Sequence, residues 1–311
     1  MDNGDFVARY LLPDASARIV VVHATGLTRE AARRHGASGA AALAMGRAGM
    51  AGLLLATLTK NDERVTLQIL GNGPLGALTV DASASGTARM FVGNPALARF
   101  AGDRARPRLG DVVGRTGLIN VARDLGLRER FGGQTAMVDG EIDTDVERYL
   151  VQSEQIDSAL ACEVIPGDEG EPVTAALGIL VQALPGGMGT DIVAEARRRM
   201  RGGAVATQLA SLDAEPTALA IDALAYSLLP AELDTPTRLD GTTPVRFFCP
   251  CSRERAAATL ALLGERDLTE MIQEEGEAQV TCEFCRNRYD FSDETLEEIR
   301  RGSRKQPVAP S

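Results

Sequence analysis

The chain has no tryptophan, two histidines (His23 and His35) and two lysines (Lys60 and Lys305) in 311 residues. So few imidazoles leave little material for histidine acid–base catalysis, and neither histidine sits in a recognisable catalytic or metal-binding motif. The net charge of −10 argues against a nucleic-acid surface, which needs a basic stripe, and favours dispersion in water. No clean membrane-spanning run is present. The longest apolar stretch, 37–58, is broken by glycines and carries Arg47 near its middle, so it predicts a buried Ala-rich helix. The opening residues Met1-Asp2-Asn3-Gly4-Asp5 lack the basic and apolar regions of a secretory leader. The expectation is a cytoplasmic protein, with no membrane or nucleic-acid partner, whose cysteines stay thiols or metal-bound thiolates.

The pattern along the chain predicts an α+β fold with a largely antiparallel sheet. Residues 5–24 read as extended, ending in Ile19-Val20-Val21-Val22. Helices follow over 28–35 and 38–57, with Thr28 and Ser38 as N-caps. Strands 65–70, 75–80 and 87–92 form a meander with turns at Asn72-Gly73 and Ser85-Gly86. Further strands are expected over 117–123, 131–138, 159–165 and 173–183, with a helix over 143–154. These elements give an N-terminal domain, 1–189. Residues 190–229 read as helical with breaks at Gly202-Gly203 and Glu215-Pro216, and 231–244 as a loop. The segment 190–244 is expected to be a helical linker, since it has apolar faces but too little core of its own. A small module, 245–302, and a tail, 303–311, complete the chain.

Two glycine-rich segments invite functional readings. Gly71-Asn72-Gly73-Pro74-Leu75-Gly76 fits the dinucleotide-binding spacing. That motif requires a helix next, whereas Pro74 and the alternation after it predict a hairpin. Gly186-Gly187-Met188-Gly189-Thr190 lacks the Lys-Ser/Thr ending of a P-loop and reads as a flexible joint. Cys162, inside an apolar strand, reads as an inert core thiol. No carboxylate pair stands out as an acid–base couple.

The remaining four cysteines form two close pairs, Cys249-Pro250-Cys251 and Cys282-Glu283-Phe284-Cys285. Four thiolates in two doublets suit a tetrahedral S₄ site, for which zinc is the expected metal, one per chain. The single residue inside the first pair is unusual and lets its sulfurs cross-link after a modest rearrangement. The same residues can thus form a metal site or a pair of disulfides. Arg246, Arg253, Arg255, Arg286 and Arg288 lie near the pairs in sequence, and cations near thiolates keep them charged and reactive.

Phe247-Phe248-Cys249-Pro250-Cys251-Ser252-Arg253-Glu254-Arg255, with Cys282-Glu283-Phe284-Cys285 and Tyr289, resembles the C-terminal zinc domain of the heat-shock protein 33 family of redox-regulated chaperones. The resemblance continues in Asp145–Tyr149, Ser153–Ile156, Gly178–Gly186 and Gly71–Leu75, and so spans nearly the whole chain. It implies zinc ligation by Cys249, Cys251, Cys282 and Cys285, and no enzymatic activity. It also implies linker unfolding and a homodimer on oxidation, with unfolded client proteins as partners. The disulfides expected on oxidation are Cys249–Cys251 and Cys282–Cys285. Cys162 and the extension after Arg301 depart from the family pattern without touching these four positions.

Two functions remain in view. The first is an ATP-independent holdase, off when reduced and zinc-bound, on when oxidised. The alternative is a zinc-dependent thiol-disulfide oxidoreductase using Cys282 and Cys285, although no thioredoxin-like βαβ pattern surrounds them.

Overall fold

The computed structural model describes residues 4–59, 63–97, 108–124, 131–167, 170–185, 188–212, 216–239 and 241–303. The chain forms two compact units, Met1–Phe248 and Cys249–Ser311. The larger begins with strands β1 (Phe6–Leu11) and β2 (Ala17–His23) and helices α1 (Thr25–His35) and α2 (Gly39–Ala56). The meander β3 (Arg64–Gly71), β4 (Leu78–Ser83) and β5 (Thr87–Val92) follows, then the single turn α3 (Gly110–Val113). Next come β6 (Gly117–Asp124), β7 (Phe131–Ala136), α4 (Asp143–Ser153), β8 (Ser158–Pro166) and β9 (Val173–Ala183). Helices α5 (Gly189–Arg201), α6 (Ala204–Leu209) and α7 (Ala218–Ser227) lead to the short strands β10 (Thr237–Arg238), β11 (Thr243–Pro244) and β12 (Arg246–Phe247).

Two sheets result, the first ordered β10-β1-β2-β9-β8 with β11 also on β1, the second β12-β5-β4-β3-β6-β7. Pairing is antiparallel except between β12 and β5. The mixed α+β class with antiparallel sheets is therefore as the sequence predicts. Helix α2 packs against both sheets, and its glycines let it do so. A Cβ on Gly46 would meet Val164 of β8 at 2.8 Å, one on Gly49 would meet Met90 of β5 at 2.8 Å, and one on Gly52 would meet Val80 of β4 at 2.6 Å. By length and composition α2 passes for a membrane span, yet its apolar residues are buried inside the protein. Arg47 is buried with them and ion-paired to Glu163 at 3.2 Å and Glu141 at 3.4 Å.

The first sheet is buried on both faces, which explains its unbroken apolar runs. Along β2, Val20 and Val22 join the α2 core, while Ile19 and Val21 join a separate cluster on the opposite face, as a two-residue period requires.

Three local expectations need correction. Helix α1 starts at Thr25 rather than after Thr28. The Asp5 carboxylate reaches in from β1's start and accepts hydrogen bonds from Gly26 N–H at 3.0 Å and Leu27 N–H at 2.6 Å, a long-range cap invisible to local pattern. Strand β4 starts at Leu78 rather than Leu75, because Leu75 N–H donates to Val112 O instead. The loop expected over 231–244 contains β10 and β11, both paired with β1. As predicted, the Gly71–Gly76 segment is a turn: Gly73 N–H donates to Val113 O, so that amide already has a carbonyl partner. Gly186, Gly187, Glu215 and the tail from 304 onward lie outside the described residues.

The smaller unit holds α8 (Arg253–Leu260), a 3-10 turn (Ala261–Leu263), α9 (Gly264–Glu274), the hairpin β13 (Glu277–Thr281) and β14 (Arg288–Ser292), and α10 (Asp293–Ser303). Helix α10 follows the hairpin directly. The unit's core is thin: Ala256, Leu260, Leu268, Ala278, Phe291 and Leu296.

Candidate metal centre

Cys249 and Cys251 sit just before α8, whose N-cap Ser252 accepts from Arg255 N–H at 3.3 Å. Cys282 and Cys285 occupy the turn between β13 and β14. There Cys282 N–H donates to Asn287 O at 2.9 Å and Arg286 N–H donates to Cys282 O at 2.8 Å. Arg286 adopts a left-handed backbone, φ 61°. The tight turn aims backbone amides of Phe284 and Cys285 at the Cys282 sulfur, and that of Asn287 at the Cys285 sulfur.

All four Sγ atoms lie within 4.8 Å of one another. Zinc–sulfur bonds of ~2.3 Å in a tetrahedron place sulfurs about 3.8 Å apart, so the donor set fits one such ion. Burial pushes the Cys282 and Cys285 thiols upward, so holding them as thiolates at neutral pH calls for a cation, and binding it must release protons. Two short sulfur contacts run across the pairs, Cys251 to Cys285 at 3.2 Å and Cys249 to Cys282 at 3.7 Å. Proximity alone therefore does not single out the near-neighbour disulfides.

Two of the nearby arginines serve a role the sequence did not suggest. Arg253 donates to Asp290 O at 2.7 Å and lies 4.5 Å over the Phe291 ring, while Arg255 donates to Pro250 O at 3.0 Å. Arg255 thus braces the first cysteine turn, and Arg253 ties the start of α8 to β14. Tyr289 enters the sequence pattern without a stated role; in the structure its hydroxyl donates to Cys251 Sγ at 3.1 Å. Its place two positions before Phe291, on the same face of β14, is the signal that could have found it. Cys162 is fully buried on β8, and burial pushes its thiol far above the usual range, as expected of an inert core residue. His23 is buried against Asp5, with 3.3 Å between Nδ1 and the carboxylate.

In the larger unit, α5 to α7 cover the outer face of the first sheet. Ile192, Val193, Leu209, Ile221, Leu224 and Leu228 are buried there with Tyr10, Ile19, Val21, Ile179 and Val181. Leu219 of α7, by contrast, is 77% exposed. It lies in the first turn of α7 and points to solvent.

Comparison with known proteins agrees with this architecture. The family model described as Hsp33 protein matches residues 5–292. The 33 kDa chaperonin of Bacillus subtilis (strain 168) is 33% identical over 296 residues, covering 95% of this chain and 98% of that protein. That of Geobacter sulfurreducens is 34% identical over 299 residues, covering 95% of each. The crystal structure of the Thermotoga maritima 33 kDa chaperonin superposes with a TM-score of 0.84 at 27% identity, covering 97% of this chain and 99% of that one.

Proposed function

The chain belongs to the Hsp33 family, and from that premise we propose that it is a redox-regulated, ATP-independent holdase of the cytoplasm whose four clustered cysteines are the switch. The observation that carries this reading is the pairing of a compact S₄ donor set with a thin core. Six buried apolar residues give little independent stability, whereas structural zinc contributes ~10–16 kcal/mol to folding. Bound zinc would hold the four sulfurs as thiolates and cross-link the two cysteine turns.

Oxidation removes those ligands. For each pair, one thiolate attacks a hydroperoxide and becomes a sulfenic acid, releasing hydroxide. The second thiolate then displaces hydroxide from that sulfur, so two electrons pass to the oxidant and one disulfide forms. Two disulfides consume two hydroperoxides. We assign them to Cys249–Cys251 and Cys282–Cys285 because each pair lies within one short turn, so either bond can form after the module has come apart.

With its metal gone the small module unfolds. The linker, residues 190–244, then leaves the outer face of the first sheet and exposes the apolar surface formed by Ile19, Val21, Ile179 and Val181. That surface would take up unfolded clients, in a homodimer when oxidised. The reading is non-enzymatic. Reduced and peroxide-oxidised protein should be compared for suppression of client aggregation, with zinc and thiols counted in the same samples and disulfides mapped by peptide. Activity that appears without loss of zinc and thiols contradicts the switch, and insulin reduction by the oxidised form favours an oxidoreductase.

A further inference from the structure

Cys251 differs from the later cysteine pair in what stabilises its sulfur. Cys282 and Cys285 face backbone amides within their own turn, which come with the fold. Cys251 accepts a hydrogen bond at 3.1 Å from a side chain, the hydroxyl of Tyr289. That phenol is held in place: Tyr289 stands opposite Val280 in the hairpin, and its ring packs on the small core beside Phe291. On β14, whose neighbours alternate faces, this brings the tyrosine from the second cysteine turn across to the first pair. The contact thus ties the two halves of the donor set together outside the metal.

A hydrogen bond to a thiolate withdraws charge from the sulfur and lowers its nucleophilicity, while orienting it as a ligand. We propose that Tyr289 is a positioning residue that protects Cys251 from oxidants and so sets the peroxide threshold of the switch. This rests on the metal-thiolate reading above. Removing the hydroxyl should leave the fold and the zinc count intact, because the half-buried ring still packs. The Cys251 thiolate then attacks hydroperoxide faster, forming a sulfenic acid and hydroxide, and a neighbouring thiolate closes the disulfide by displacing the second hydroxide.

The test compares wild type with Y289F, and with Y289M as a second variant lacking the donor. Zinc content is measured first. The rate of thiol loss at each cysteine is then followed by isotope-coded alkylation and mass spectrometry under limiting hydrogen peroxide. The expected result is one zinc per chain in all three proteins, with Cys251 oxidised at least about threefold faster in both variants and Cys285 unchanged. In the cobalt-substituted protein the sulfur-to-metal charge-transfer band should shift between wild type and Y289F. Equal Cys251 rates in zinc-loaded wild type and variants overturn the inference and leave the switch standing. Equal acceleration at Cys251 and Cys285 with lowered zinc content shows a merely structural tyrosine and also overturns it. A wild type that holds no zinc overturns the metal reading and the inference together.

Discussion

Arg197 Nε lies 2.6 Å from Glu147 Oε1, joining α5 to α4 across the edge of the first sheet. The same guanidinium donates to Asp157 Oδ1 at 2.7 Å and to Ser158 O at 2.9 Å. The other Glu147 oxygen accepts Leu160 N–H of β8 at 3.1 Å. One buried carboxylate thus serves both the sheet and α5, so that helix is held by directional polar contacts as well as by apolar packing. Charge-assisted hydrogen bonds of this kind are stronger than the neutral pairs between helix backbones.

Replacing Arg197 with Ala should therefore loosen the linker without oxidation, at a cost of about 2 kcal/mol. Reduced, zinc-loaded R197A should bind an apolar dye that wild type ignores. Dye binding equal to wild type would show that the latch does not hold the linker.

The two faces of α7 should respond differently. Leu224 is buried on the sheet and Leu219 is exposed. L224A should destabilise linker docking by about 2–4 kcal/mol, and L219A by less than about 0.5 kcal/mol. Urea unfolding of both variants checks this, and a large cost at Leu219 would mean that α7 is turned differently.

Loss of a single sulfur ligand should undo the small unit alone. C251S or C282S should lower zinc affinity beyond the ~10–100-fold typical of a lost outer-shell contact. The unfolding of the first sheet should stay unchanged. Full zinc retention in both variants would remove these residues from the ligand set.

Acid should weaken α5 through Glu195. Hydrogen bonds from Arg198 and then Arg199 hold its carboxyl at about 2, below the ordinary value of 4.5. A carboxyl depressed in the folded state stabilises it above the unfolded value, and that contribution is lost as pH falls toward the folded value. The difference in Tm between wild type and E195Q should therefore be largest above pH 4.5 and shrink as pH falls toward 2. A difference that stays constant across this range would contradict the pairing.

Much of this molecule was legible in the sequence because periodicity and sulfur spacing are local signals. The alternation in Thr87–Val92 gives β5, and the glycine-interrupted run at Gly39–Ala56 gives α2. The two cysteine doublets named the donor set, and the structure brings all four sulfurs together. What the sequence hid depends on distant partners. Asp5 caps α1 from just before β1, and β10 and β11 exist only because β1 offers them an edge. Arg197 is one of three consecutive arginines in the sequence, and only its position on α5 places it over Glu147. Tyr289 shows the same limit, since its hydroxyl matters only once the hairpin carries it to Cys251.

The central claim is that oxidising the four cysteines frees the linker while the main core stays folded. Hydrogen exchange on reduced, zinc-loaded protein and on fully oxidised protein tests it most directly. The predicted result is loss of protection across residues 190–302, with protection retained in the meander strands over 65–92, whose core contains no switch cysteine. Uniform loss through both regions would mean global unfolding, and an unchanged linker in oxidised protein that nevertheless suppresses aggregation would contradict the claim outright.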